Sequence, residues 1–150
     1  MNLIKDKLEK IEKEFTEQVK TAFGSNLHSA YIYGSILTDS FNPATSDVNV
    51  LIIPYDADPD RIIVLGKYSA KLIRLLNINP TIMSYDEFLA SADIFPMEYY
   101  DIKDFHKTLT GEDITEKLVI SDRNLRLQVE DRLRGCISSL RQVLILSESN

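Results

Sequence analysis

The chain has 150 residues, 44% of them hydrophobic and 27% charged, and a net charge of −6. That length suits one domain, residues 1–150, around one core. The acidic balance excludes an extended, sequence-independent contact with nucleic acid, which needs many Lys and Arg against phosphates. It leaves room for a nucleoside triphosphate, which needs only a local site and arrives with its own Mg²⁺. No apolar run approaches the roughly 18 residues of a transmembrane helix, and residues 1–7 mix charges too early for a signal peptide. Cys136 is the only cysteine, so no intramolecular disulfide can form, and the cytoplasm is the expected compartment.

Residues 2–23 place Leu3, Ile4, Leu8, Ile11, Phe15, Val19 and Phe23 at helical spacing, with Lys, Glu and Gln between them, and Gly24 marks the end. Residues 27–33, rich in Tyr, Ile and Ala, read as a strand. Gly34-Ser35 interrupts it, and residues 36–41 read as a short helix. Asn42-Pro43-Ala44-Thr45-Ser46 is turn chemistry. Residues 47–53 form a second strand whose apolar run Val50-Leu51-Ile52-Ile53 predicts a central place in the sheet.

Asp58-Pro59-Asp60 caps and opens a second long helix. Residues 79–83 read as a strand. Ser84 and Glu87 form a capping box for a helix over 85–92. Residues 97–102 read as a strand and 104–109 as a helical turn closed near Gly111. A last helix spans about 122–146, with Leu125, Val129, Leu133, Ile137, Leu140 and Leu144 along one side. The resulting class is α/β (α+β): a small mixed sheet flanked by helices, with a long C-terminal helix.

The chemistry concentrates in Tyr31-Ile32-Tyr33-Gly34-Ser35, eleven further residues, then Asp47-Val48-Asn49-Val50. Glycine lets the backbone bend sharply and an anion approach. The Ser hydroxyl and a following helix N-terminus offer donors to a phosphate. Asp47 and Asn49, two apart on a strand, share a face. Each piece alone is commonplace, since Gly-Ser after a strand is an ordinary turn and Asp-x-Asn an ordinary Asx motif. Together they describe a Mg²⁺–triphosphate site.

This pattern resembles the signature of the nucleotidyltransferase superfamily, which includes DNA polymerase β, small bacterial minimal nucleotidyltransferases and aminoglycoside nucleotidyltransferases. That signature is an apolar residue, Gly, Gly or Ser, roughly nine to thirteen residues, then Asp, an apolar residue, and Asp or Glu. The stretch from Phe95-Pro96-Met97-Glu98-Tyr99-Tyr100-Asp101 through His106 and Gly111-Glu112-Asp113 is similar to a segment of bacterial nucleotidyltransferase-domain proteins. The resemblance covers about residues 27–113. It implies a nucleotidyltransferase fold and, in active relatives, two Mg²⁺ ions on three carboxylates. Gly34 and Ser35 would contact the β- and γ-phosphates, and Asp47 would be a metal ligand. The third carboxylate comes from a later strand in relatives. Glu98, at the start of a strand-like run, is the expected residue, with Asp101 in reserve.

Asn49 departs from the signature, since its side-chain oxygen can ligate Mg²⁺ but carries no charge. Two functions follow from the resemblance. One is transfer of a nucleoside monophosphate from MgNTP, with ATP the expected donor, to a hydroxyl of a small molecule or protein. The other is a catalytically degenerate domain that senses nucleotide or serves as an interaction module. The acceptor is not legible. The chain is short for an acceptor-binding enzyme, so a partner, a longer parent protein or a homodimer through the last helix would complete the cleft.

Several features carry no chemistry. His28 and His106 have no Cys or second His beside them, which argues against zinc. Lys67, Lys71 and Arg74 read as a solvated helix face, and Cys136 as a core or helix-contact residue. The arginines at 123, 126, 132, 134 and 141 read as a salt-bridged face or dimer contact rather than a nucleic-acid patch.

Overall fold

The computed structural model describes residues 3–147. Met1 and Asn2, and with them the first position of the expected N-terminal helix, lie outside that range, as does the side chain of Leu3. Helix α1 (Leu3–Lys10) runs through one π turn (Ile11–Phe15) into α2 (Thr16–Phe23). The extra residue of the π turn leaves Thr16 Oγ1 to donate to Ile11 O at 2.9 Å. Strands β1 (Leu27–Tyr33) and β2 (Val48–Pro54) follow, then α3 (Pro59–Leu76) and β3 (Ile78–Ile82). Asp58 caps α3 by accepting from Asp60 N at 2.9 Å. Ser84 and Glu87 complete the expected capping box at α4 (Tyr85–Ala90).

The sheet runs β3-β2-β1-β4, with β2 antiparallel to β1 and parallel to β3, and β4 antiparallel to β1. It is therefore small and mixed, as the sequence implies. Alternation sends Ala30, Ile32, Val48, Val50 and Ile52 into a core with Ile11, Phe15, Phe23, Leu65 and Leu72 on one side. Tyr31, Leu51 and Ile53 meet Phe88, Tyr99, Ile102, Ile114 and Leu118 on the other. The apolar run of β2 is thus buried on both faces, which explains its lack of polar alternation.

Two elements differ from expectation. Residues 97–102 are not a strand but part of α5 (Pro96–Asp104). Pro96 supplies a ready-made first turn, and Tyr99 and Ile102, three apart, form its buried face. Residues 104–109 are not a helical turn. They lead into β4 (His106–Gly111), which pairs with β1. Gly111 has φ +83, and a Cβ there would lie 2.0 Å from His28 O. The helix expected over 36–41 shrinks to one 3-10 turn, Ser35–Leu37. The last helix, α6 (Asp122–Ser147), forms as read. Among the described residues no helix is long and apolar enough to cross a membrane.

Candidate functional site

β1 ends at Tyr33, and the chain turns at Gly34 with φ 81, a conformation open to glycine but strained for other residues. The Gly34 amide donates to Phe105 O at 3.0 Å, tying the turn to the end of α5. A Cβ on Gly34 would lie 3.3 Å from Asn49 Nδ2, so the turn rests directly against the Asn49 side chain. The Ser35 hydroxyl has no hydrogen-bond partner among the described residues. The 3-10 turn behind it is too short for a helix dipole, so the turn could offer an anion only individual donors.

Asp47, just before β2, is exposed, and its carboxylate has no hydrogen bond or ion pair among the described residues. Asn49 lies inside the strand, level with Tyr33 on β1 and with Asn79 on β3. Tyr33 is in turn level with His106 on β4. A polar row, His106–Tyr33–Asn49–Asn79, therefore crosses all four strands at one end of the sheet. Within it Asn79 Nδ2 donates to Asn49 Oδ1 at 3.0 Å.

The Tyr33 phenol is held above its ordinary pKa, first by burial and then by the Glu98, Asp47 and Asp101 carboxylates, while the neighbouring Thr81 hydroxyl acts in the opposite direction. All three acids thus act on Tyr33 through their charge. Burial, then Glu98 and Asp104, raises the Asp101 carboxyl as well. His106 is engaged elsewhere. Its Nε2 contacts Asp113 Oδ2 at 2.8 Å, and Asp113 also accepts from the Thr115 backbone and hydroxyl. Burial works against the Asp113 charge, but these hydrogen bonds outweigh it and lower its pKa.

Glu98 is not on a strand. It projects from α5, where Oε2 accepts from Gln128 Nε2 at 2.9 Å and Oε1 from Arg132 at 3.1 Å. Both oxygens therefore bind α6. The later strand that reaches Asn49 is β3, and its residue there is the amide Asn79. The signal for Asn79 was available: a strand, helix and strand in succession place β3 beside β2. Tyr33 stands next to Gly34 in the chain, but the sequence does not show what it faces. Its place in the polar row depends on the cross-strand register.

The fit to metal is uneven. A single Mg²⁺ carried by a triphosphate commonly uses one or two protein carboxylates, and Asp47 is free to serve. A second ion would need further carboxylates beside it. Asn49 and Asn79 offer none, and among the described residues no group of three His, Cys, Asp or Glu side chains could hold an ion.

Of the outlying residues, Lys67, Lys71 and Arg74 are exposed on α3, as expected. Cys136 is exposed on α6 rather than in a core or a helix contact.

No protein-family model matches the sequence, and no curated protein matches it. Solved structures do. The spectinomycin adenyltransferase of Enterococcus faecialis, solved with ATP and spectinomycin, superposes with a TM-score of 0.62 at 17% identity, over 89% of this chain and 67% of that one. Weaker similarities, with TM-scores of 0.48 and 0.43, are to chains in two toxin–antitoxin structures. One is a mutant MntA–HpeT complex, at 12% identity over 87% of this chain and 98% of that one. The other is a tri-AMPylated Shewanella oneidensis HEPN toxin with MNT antitoxin, at 13% identity over 87% and 95%. The adenyltransferase likeness defines the class: this chain has the nucleotidyltransferase fold.

Proposed function

We propose that this domain binds a nucleoside triphosphate with one Mg²⁺ and that its capacity for nucleotidyl transfer is weak or lost. Gly34 and Ser35 would receive the terminal phosphates, and Asp47 would ligate the nucleotide's metal. The observation that carries the reading is the Asn49–Asn79 hydrogen bond. Two neutral amides satisfy each other where a second metal ion requires negative charge. When bound, Mg²⁺ neutralises triphosphate charge. The chain's own contribution is to hold the phosphates at the Gly34 turn and the metal at Asp47. Residual transfer would go to a hydroxyl of a small molecule or protein. ATP is the first ligand to test, because the Enterococcus adenyltransferase was solved with it.

Isothermal titration calorimetry with ATP and GTP, in Mg²⁺ and in EDTA, tests the reading. Saturable binding that needs the metal and disappears in Asp47→Ala is expected. Absence of heat from folded protein with either nucleotide would leave only an interaction module.

A further inference from the structure

Helix α6 meets the body only through its first turns. Asn124 Nδ2 donates to Asp93 O at 3.2 Å, and Gln128 and Arg132 bind Glu98. From Asp131 to Ser147 every residue is exposed, a projection of about 25 Å at the rise of an α-helix. Along it Leu133, Ile137, Leu140 and Leu144 recur at steps of four, three and four, the spacing of a two-helix seam, and each is between 49% and 61% exposed. A bare helix of this length with an apolar seam is marginal in water.

The flanking charges say what kind of surface covers it. Arg126 is paired with Glu130 and Arg132 with Glu98. Arg134 and Arg141, seven apart on one edge of the seam, form no ion pair among the described residues, although Asp131 stands one turn before Arg134. Residues 131–147 hold three arginines against one aspartate, in a chain whose net charge is −6. A second copy is a poor antiparallel partner. The register that sets Leu133 against Leu144 and Ile137 against Leu140 also sets Arg134 against Arg141, and like charges facing across a seam are repulsive.

We infer that residues 131–147 dock an acidic amphipathic helix of a partner protein, with its apolar face on the Leu133–Leu144 seam and its carboxylates opposite Arg134 and Arg141. This inference is independent of nucleotide binding.

The test uses the full chain and two labelled helical peptides with Leu at the seam positions, one flanked by Glu and one by Lys, followed by fluorescence anisotropy. The Glu-flanked peptide should bind at least about tenfold more tightly, with the difference shrinking as salt screens it. The double substitution Arg134→Glu/Arg141→Glu should invert the preference, and Ile137→Asp/Leu140→Asp should abolish both. All four positions are exposed, so folding is not at stake. Equal binding of the two peptides, or binding of neither, would overturn the inference. So would a dimer in sedimentation velocity that Ile137→Asp/Leu140→Asp dissociates, because a second copy would then occupy the seam.

Discussion

Asn49 and Asn79 stand level on parallel neighbouring strands, and the amide of one donates to the carbonyl of the other at 3.0 Å. Two neutral amides thus satisfy each other, and the pair carries no negative charge of its own. Restoring the charge should create the demand for metal. In Asn49→Asp the Asn79 donor remains, so the melting temperature should stay near that of the parent, while Mg²⁺-dependent ATP binding tightens on the order of tenfold, the scale on which ligand-shell changes act. In Asn49→Asp/Asn79→Asp two carboxylates face each other, and one must take up a proton or a cation. Its melting temperature should fall in EDTA and recover with Mg²⁺ or Mn²⁺. If Mg²⁺ moves neither variant, Asn49 and Asn79 are not at a metal position.

Gly34 joins that pair to the turn proposed to receive phosphate. Its φ of 81 is strained for any L residue, and a Cβ would press on Asn49 Nδ2 at 3.3 Å. Gly34→Ala should therefore cost about 1–2 kcal/mol in urea unfolding and also weaken ATP binding in protein that is still folded. Ser35→Ala removes only a free hydroxyl, so it should weaken ATP binding with little change in stability. Equal ATP affinity in Ser35→Ala and the parent would remove Ser35 from the phosphate site.

Tyr99 gives the fold an alkaline limit. Its ring stacks on Phe88 with centroids 5.0 Å apart, its hydroxyl donates to Phe88 O at 2.8 Å, and burial pushes its pKa up to about 12. The unfolded phenol ionises near its ordinary value of about 10. The folded state thus retains a proton that the unfolded state has lost. Stability is fully present below about pH 10 and declines as pH rises towards 12. Tyr99→Phe should lose about 1 kcal/mol at neutral pH for the missing hydrogen bond and show a shallower decline between pH 10 and 12. Guanidine melts across that range would measure both, and an unchanged alkaline slope would assign the decline to other groups.

Much of this architecture is legible in the sequence because it is local. The apolar run of β2, the Asp58 cap, the Ser84–Glu87 box and the periodicity of α6 each declare their element within a few residues. The exchange of α5 and β4 has a physical cause. Glu98-Tyr99-Tyr100-Asp101 looks like a strand because two tyrosines carry β propensity, yet Tyr99 and Ile102 reach the core only at helical spacing. β4 is an edge strand with polar residues, and its pairing with β1 is a long-range fact. The site divides in the same way. Tyr33, Gly34, Ser35, Asp47 and Asn49 lie in one short motif, whereas Asn79 joins them, and Tyr33 comes level with Asn49, only through cross-strand register.

Glu98 offers a choice between two roles that experiment can separate. Its charge acts on Tyr33, as those of Asp47 and Asp101 do, yet both its oxygens bind α6 through Gln128 and Arg132. The pair with Arg132 is about half exposed on both sides, so it should contribute less than about 1 kcal/mol to stability. Its larger effect is local, because it clamps α6 to α5. Glu98→Ala should leave MgATP affinity within about threefold of the parent while speeding amide hydrogen exchange over residues 122–132, where helix opening needs little free energy. Arg132→Ala should speed exchange over the same residues without touching the nucleotide site. A loss of MgATP binding in Glu98→Ala as deep as in Asp47→Ala would return Glu98 to the metal, and the contact with α6 would then be a resting position that nucleotide displaces.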